Sequence, residues 1–115
     1  MSEQRKETRK KLMAFTPVYD YAAHALIGYV SDISLLGMKV ISEHPVETGN
    51  EITLHVELPD SLTNKTDQTL LTPARIAWCR TDENLKSFMI GFAFIKLTTK
   101  QESIIQSILD RYRFG

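Results

Sequence analysis

Period-two alternation governs the middle of the chain. Ile52, Leu54, Val56 and Leu58 alternate with Glu51, Thr53, His55 and Glu57, which predicts a strand with one dry and one wet face. Leu26 to Ile33 and Met38 to Ser42 are short β-rich runs, and Ser34-Leu35-Leu36-Gly37 between them reads as a tight connection. Ala74, Ile76 and Trp78 alternate with Arg75, Ala77 and Cys79 in a further strand. Phe88 to Ile95 is apolar on both faces, with Phe88, Ile90, Phe92 and Phe94 on one side. Such a strand is expected to be covered twice, from the interior of a barrel or sheet and again from outside. Leu12 to Tyr19 predicts one more strand, which Pro17 confines to an edge or a bulge because proline cannot donate to a ladder. Pro59, Asp60, Asn64 and Asp67 mark 59–70 as an exposed loop.

The outer cover is expected from the C-terminal segment, about 99–113. Thr99 and Glu102 have capping-box spacing, in which the hydroxyl and the carboxylate each satisfy an orphan backbone N–H. Beyond them Ile104, Ile105, Ile108, Leu109 and Tyr112 form one apolar stripe at helical spacing. Arg111 and Arg113 follow near the helix C-terminus, where the dipole favours positive charge. Five or six short strands and then one helix predict a mainly β fold: a small antiparallel β-barrel with a C-terminal α-helix packed against it.

At 115 residues the chain has the size of one domain, and its 43% hydrophobic and 24% charged residues are ordinary for a globular one. Fourteen basic and fourteen acidic residues cancel, so no overall field holds nucleic acid or a membrane, and neither nucleic-acid binding nor membrane insertion is expected. The distribution is uneven. Residues 1–11 carry Arg5, Lys6, Arg9, Lys10 and Lys11 against Glu3 and Glu7, which points to an anionic ligand met at the N-terminus. Those residues hold no apolar group between Ser2 and Lys11, so 1–11 are expected to form a flexible ligand-binding tail ahead of a domain over 12–115.

Cys79 is the single cysteine, which suits a reducing cytoplasm, and there is neither an apolar leader nor a run near the ~20 apolar residues that span a bilayer. A cytoplasmic protein is expected. His24, His44, His55 and Cys79 lack paired zinc spacing, so no metal is expected. Trp78 reads as a core or barrel-wall residue rather than a stacking platform. Neither a nucleophile elbow nor a phosphate-cradling glycine loop occurs, so the chain is not expected to be an enzyme and no cofactor is implied.

Two motifs carry chemistry. Arg5-Lys6-Glu7-Thr8-Arg9 places two arginines four apart, and Asp32-Ile33-Ser34-Leu35-Leu36-Gly37 places an acid, a hydroxyl and a glycine at a strand end. At average residue usage the first pattern arises by chance in about one chain in four of this length and the second in roughly one in twenty, so only their ordered combination is informative. Together they resemble the signature of PilZ domains, R-x-x-x-R followed by [D/N]-x-S-x-x-G. Gly37-Met38-Lys39-Val40, Ala74-Arg75-Ile76-Ala77-Trp78, Gly91-Phe92-Ala93-Phe94 and the terminal helix continue the likeness over nearly the whole chain.

The resemblance implies a six-stranded barrel that binds cyclic di-GMP through Arg5, Arg9, Asp32, Ser34 and Gly37. Arginine forks onto phosphate oxygens or guanine O6 and N7 and stacks flat on a base. A carboxylate accepts from guanine N1–H and N2–H₂, which suits Asp32. Ser34, two residues on, offers a hydroxyl on the same side, and Gly37 is expected to let the backbone turn sharply and come close to a base. Some relatives carry a further arginine before the first motif arginine, where this chain has Gln4. That leaves open whether one ligand or an intercalated pair is bound. A lone domain of this kind is expected to signal in trans to an effector protein not identifiable from sequence, in motility or biofilm control. The alternative is a PilZ-like interaction protein for pilus or motility machinery that does not depend on ligand. A single-strand nucleic-acid binder is disfavoured by the neutral charge.

Overall fold

The computed structural model describes residues 16–58, 69–84 and 86–113, the last three of them by backbone alone. Six strands, β1 (Pro17–Asp20), β2 (Ala25–Ile33), β3 (Gly37–Ser42), β4 (Glu51–Glu57), β5 (Thr69–Asp82) and β6 (Ser87–Phe94), precede one helix, α1 (Thr99–Arg113). The strands close in the order β1-β2-β3-β6-β5-β4, each neighbour antiparallel, so the expected mainly β barrel with a C-terminal helix is the fold. In that ring β1 stands directly across from β6.

The core is made by the inward half of each alternation. Val18, Val30, Val40, Leu54, Val56, Leu70 and Ile90 are all sealed from solvent. Fully burying a side chain of this kind contributes roughly 1.5–3 kcal/mol, and closure removes the unpaired edges that an open sheet would expose. Pro17 takes the first position of β1, one of the few places in a strand that tolerate a missing N–H. Residues 12–15 of the strand expected over 12–19 lie outside the described residues.

β5 is longer than its expected span of 74–79 and begins inside the segment expected to be a loop. Leu70 and Thr72 are buried and alternate with exposed Leu71 and Pro73, and Leu70 pairs with Val56. Pro73 is accommodated within this strand and its carbonyl accepts the N–H of Ile95. Burial of Leu70 outweighs the local loop composition.

Besides an extra Ile27 where β2 pairs with β1, two further bulges break β2 and β5. Val30 pairs with Val40 and Asp32 with Lys39, so Ser31 is an extra residue in β2. Ile76 pairs with Phe92 and Trp78 with Gly91, so Ala77 is an extra residue in β5. An extra residue reverses the facing of everything beyond it.

The helix cap falls one residue earlier than the spacing of Thr99 and Glu102 suggests. Thr98 Oγ1 accepts the Gln101 N–H at 3.1 Å and Gln101 Oε1 accepts the Thr98 N–H at 2.8 Å. Gln101 Nε2 also donates to the Leu71 carbonyl, which ties the cap to β5 and explains why this register is chosen. Ile105 and Ile108 are fully buried, with Ile104 and Leu109 packed beside them. The helix rests mainly on β5, so it is not the principal outer cover of β6. At Gly91, the middle of β6, that cover is the side chain of Trp78.

Candidate functional site

The bulges decide which side chains face outward. Gly28 and Val30 point into the barrel, and an unbroken strand would carry Asp32 in after them. The extra Ser31 instead sends Ile33 into the core, 6% exposed, and leaves Asp32 outside. The Ile33 N–H donates to Asp32 Oδ1 at 2.9 Å, which holds the carboxylate, while Oδ2 has no partner among the described residues.

Past the strand end, the Ser34 N–H donates to the Gly37 carbonyl at 2.9 Å and Ser34 Oγ accepts the Leu36 N–H at 3.1 Å. Ser34 therefore braces the turn with a side chain that is itself exposed. Gly37 does not adopt the left-handed backbone. A Cβ there would run into the carbonyl oxygen of Phe92, so glycine is required by the close approach of β3 to β6 rather than by a sharp turn.

In β5 the period-two reading of Ala74, Ile76 and Trp78 as one face is overturned. After the extra Ala77, Trp78 stands on the outer wall and Cys79 packs against the core opposite Ile90. Trp78 is half-buried because it lies over Gly91, whose missing side chain makes room for the indole, and the Arg80 guanidinium sits 4.2 Å from the ring centroid.

These features converge on one groove of about 290 Å³ on the outer wall. Asp32, Ser34, Gly37 and Lys39 line one side, and Ala77 and Trp78 the other. Four residues form a single lateral row across the wall: Trp78 of β5 pairs with Gly91 of β6, Gly91 with Lys39 of β3, and Lys39 with Asp32 of β2. With strands about 4.8 Å apart, the row spans roughly 14 Å. Both bulges sit at its two ends.

The structure thus brings together Asp32, Ser34 and Gly37, while Arg5 and Arg9 lie outside the described residues. Sequence reasoning missed Lys39, Gly91 and the outward aspect of Trp78. Ala74-Arg75-Ile76-Ala77-Trp78 was a recognisable pattern, but nothing in it signals the bulge. Elsewhere, Tyr19 of β1, Tyr21 and His24 of the β1–β2 turn and His55 of β4 make ring contacts at 5.7–6.2 Å, away from the groove. Among the described residues no group of three His, Cys, Asp or Glu could hold a metal ion, and no helix is long and apolar enough to cross a membrane.

A model of the PilZ domain family matches residues 3–111. Among solved structures the chain is similar to the PilZ domain with c-di-GMP of YcgR from Escherichia coli, at 14% identity and a TM-score of 0.64, over 86% of this chain and 81% of that one. It is also similar to the inhibitor of motility MotI/DgrA of Bacillus subtilis, at 14% identity and a TM-score of 0.68, over 87% of this chain and 47% of that one. At such identity the likeness speaks for the fold alone. No curated protein sequence matches the chain.

Proposed function

The chain belongs to the PilZ domain family, and on that premise we propose that it is a receptor for cyclic di-GMP. The observation that carries the reading is the groove, in which an acid with a free oxygen, a hydroxyl, a glycine and an indole face one space. The YcgR domain to which this barrel is similar was solved with that ligand.

Asp32 Oδ2 accepts from guanine N1–H and N2–H₂, Ser34 contributes its hydroxyl, and Gly37 keeps the groove wall low. Trp78 supplies an aromatic surface for a base, of the kind that contributes about 1–3 kcal/mol per stacked base. Arg5 and Arg9 fork onto phosphate or guanine N7 and O6. Their reach is sufficient. The described chain enters where the Thr16 carbonyl accepts the Val30 N–H at 3.0 Å, beside the Ser31 bulge. Seven Cα-to-Cα steps separate Arg9 from Thr16 and eleven separate Arg5. At about 3.3 Å per residue they span up to roughly 23 and 36 Å, more than the roughly 14 Å row that starts beside that point.

The output is a contact with an effector protein, in motility or biofilm control. Leu36, 84% exposed at the lip of the groove, offers that partner an apolar anchor beside the bound nucleotide. This is the work of a binding module rather than an enzyme.

Calorimetric titration with cyclic di-GMP, set against GTP and a short oligonucleotide, tests the reading. A dissociation constant around micromolar, about −8 kcal/mol, is expected for cyclic di-GMP alone. Trp78 is the only tryptophan, so its fluorescence should be quenched in step with the heat. Absence of both signals at high ligand concentration refutes the receptor reading and leaves the ligand-independent interaction protein.

A further inference from the structure

We infer that Lys39 is a specificity-determining residue that reads guanine O6 beside Asp32 and so makes the groove discriminate guanine from adenine. This rests on the receptor reading and goes beyond the five motif residues. Lys39 is exposed, lines the groove, and is the register partner of Asp32 on the adjacent strand. Register partners of antiparallel strands lie about 4.5–5.5 Å apart, and the two side chains stand on the same outer face.

Despite that proximity no ion pair joins them; the single ion pair among the described residues is Arg75 with Glu51. Asp32 is held instead by the Ile33 N–H, and Lys39 has no partner among the described residues. On its other flank Lys39 meets Gly91, which has no side chain to compete for its ammonium. The result is one acceptor, Asp32 Oδ2, and one donor, the Lys39 ammonium, side by side and without partners among the described residues, at the edge of a groove walled by Trp78.

That order of groups complements one base. The Watson–Crick edge of guanine presents the O6 acceptor next to the N1–H and N2–H₂ donors, matching Lys39 and Asp32 in turn. Adenine presents an amino donor where guanine has O6, and a ring acceptor where guanine has N1–H. It would set donor against ammonium and acceptor against carboxylate, leaving polar groups unpaired on both sides.

The test compares affinities for cyclic di-GMP and cyclic di-AMP in the full chain, by calorimetry and by competition for the weaker ligand, before and after Lys39→Ala. Because Lys39 is exposed, an unchanged melting curve is expected to certify the fold. The preference for cyclic di-GMP should fall by roughly tenfold, through weaker guanine binding without any loss for adenine. Equal losses for both nucleotides would assign Lys39 to phosphate and overturn the inference, as would no loss at all. Either result leaves the receptor reading standing if the parent protein binds cyclic di-GMP. A parent protein that binds neither nucleotide removes both.

Discussion

The indole of Trp78 occupies the space above Gly91 that any other residue would fill with its own side chain. The pairing of these two residues across β5 and β6 sets the height of the groove wall and keeps the tryptophan from lying loose on the surface. Gly91→Ala is therefore expected to push the indole outward. Overpacking of this kind costs about 1–3 kcal/mol, and the emission of the single tryptophan should shift to longer wavelength. Urea denaturation followed by fluorescence reads both; unchanged emission and stability would mean the indole has room to spare.

Gly37→Ala should destabilise the barrel as well as weaken binding. The new methyl meets the Phe92 carbonyl, a backbone atom that cannot step aside without disturbing the β3–β6 ladder. A loss of about 1–3 kcal/mol is expected in chemical denaturation without ligand. If stability is untouched and only ligand affinity falls, glycine is required by the ligand and not by the strand approach.

Asp32→Ala should behave in the opposite way. Its side chain is exposed and its one hydrogen bond is to the adjacent Ile33 N–H, so stability should stay within about 0.5 kcal/mol. Losing a hydrogen bond to a charged group costs roughly 1.5–3 kcal/mol, so affinity for cyclic di-GMP should drop about ten- to a hundredfold in calorimetry.

Arg5→Ala and Arg9→Ala should each weaken cyclic di-GMP binding by a similar factor, and Arg→Lys should fail to restore it, because lysine cannot fork onto phosphate or stack on a base. Lysine variants that bind like the parent would reduce these arginines to point charges. Titrations at two salt concentrations separate the cases, since a purely electrostatic contribution fades with screening.

The helix cap gives a comparison within one turn. Thr98→Ala removes the hydroxyl that accepts the Gln101 N–H and should cost about 1 kcal/mol, whereas Thr99→Ala should cost at most a few tenths. Equal effects in thermal melts would return the cap to the Thr99 register.

Much of this molecule could be read from its residues one at a time. The alternation of Ile52, Leu54, Val56 and Leu58 and the helical stripe of Ile104, Ile105, Ile108 and Leu109 announce a barrel and a helix, because burial follows the geometric period of each element. Asp32, Ser34 and Gly37 declare themselves as a candidate site by type and spacing. Trp78 and Lys39 do not. Period-two reasoning carries its phase through a strand unchanged, and so puts Trp78 in the core beside Ile76. The two bulges break that phase, at Ser31 and at Ala77, and each is defined only by the pairing of one strand with its neighbour. Closure of the ring then lays β5, β6, β3 and β2 side by side, so that Trp78, Gly91, Lys39 and Asp32 fall into one row although they come from four separate stretches of chain. Local sequence determines which way a side chain points only until a strand gains a residue its partner lacks; beyond that, the ladder decides.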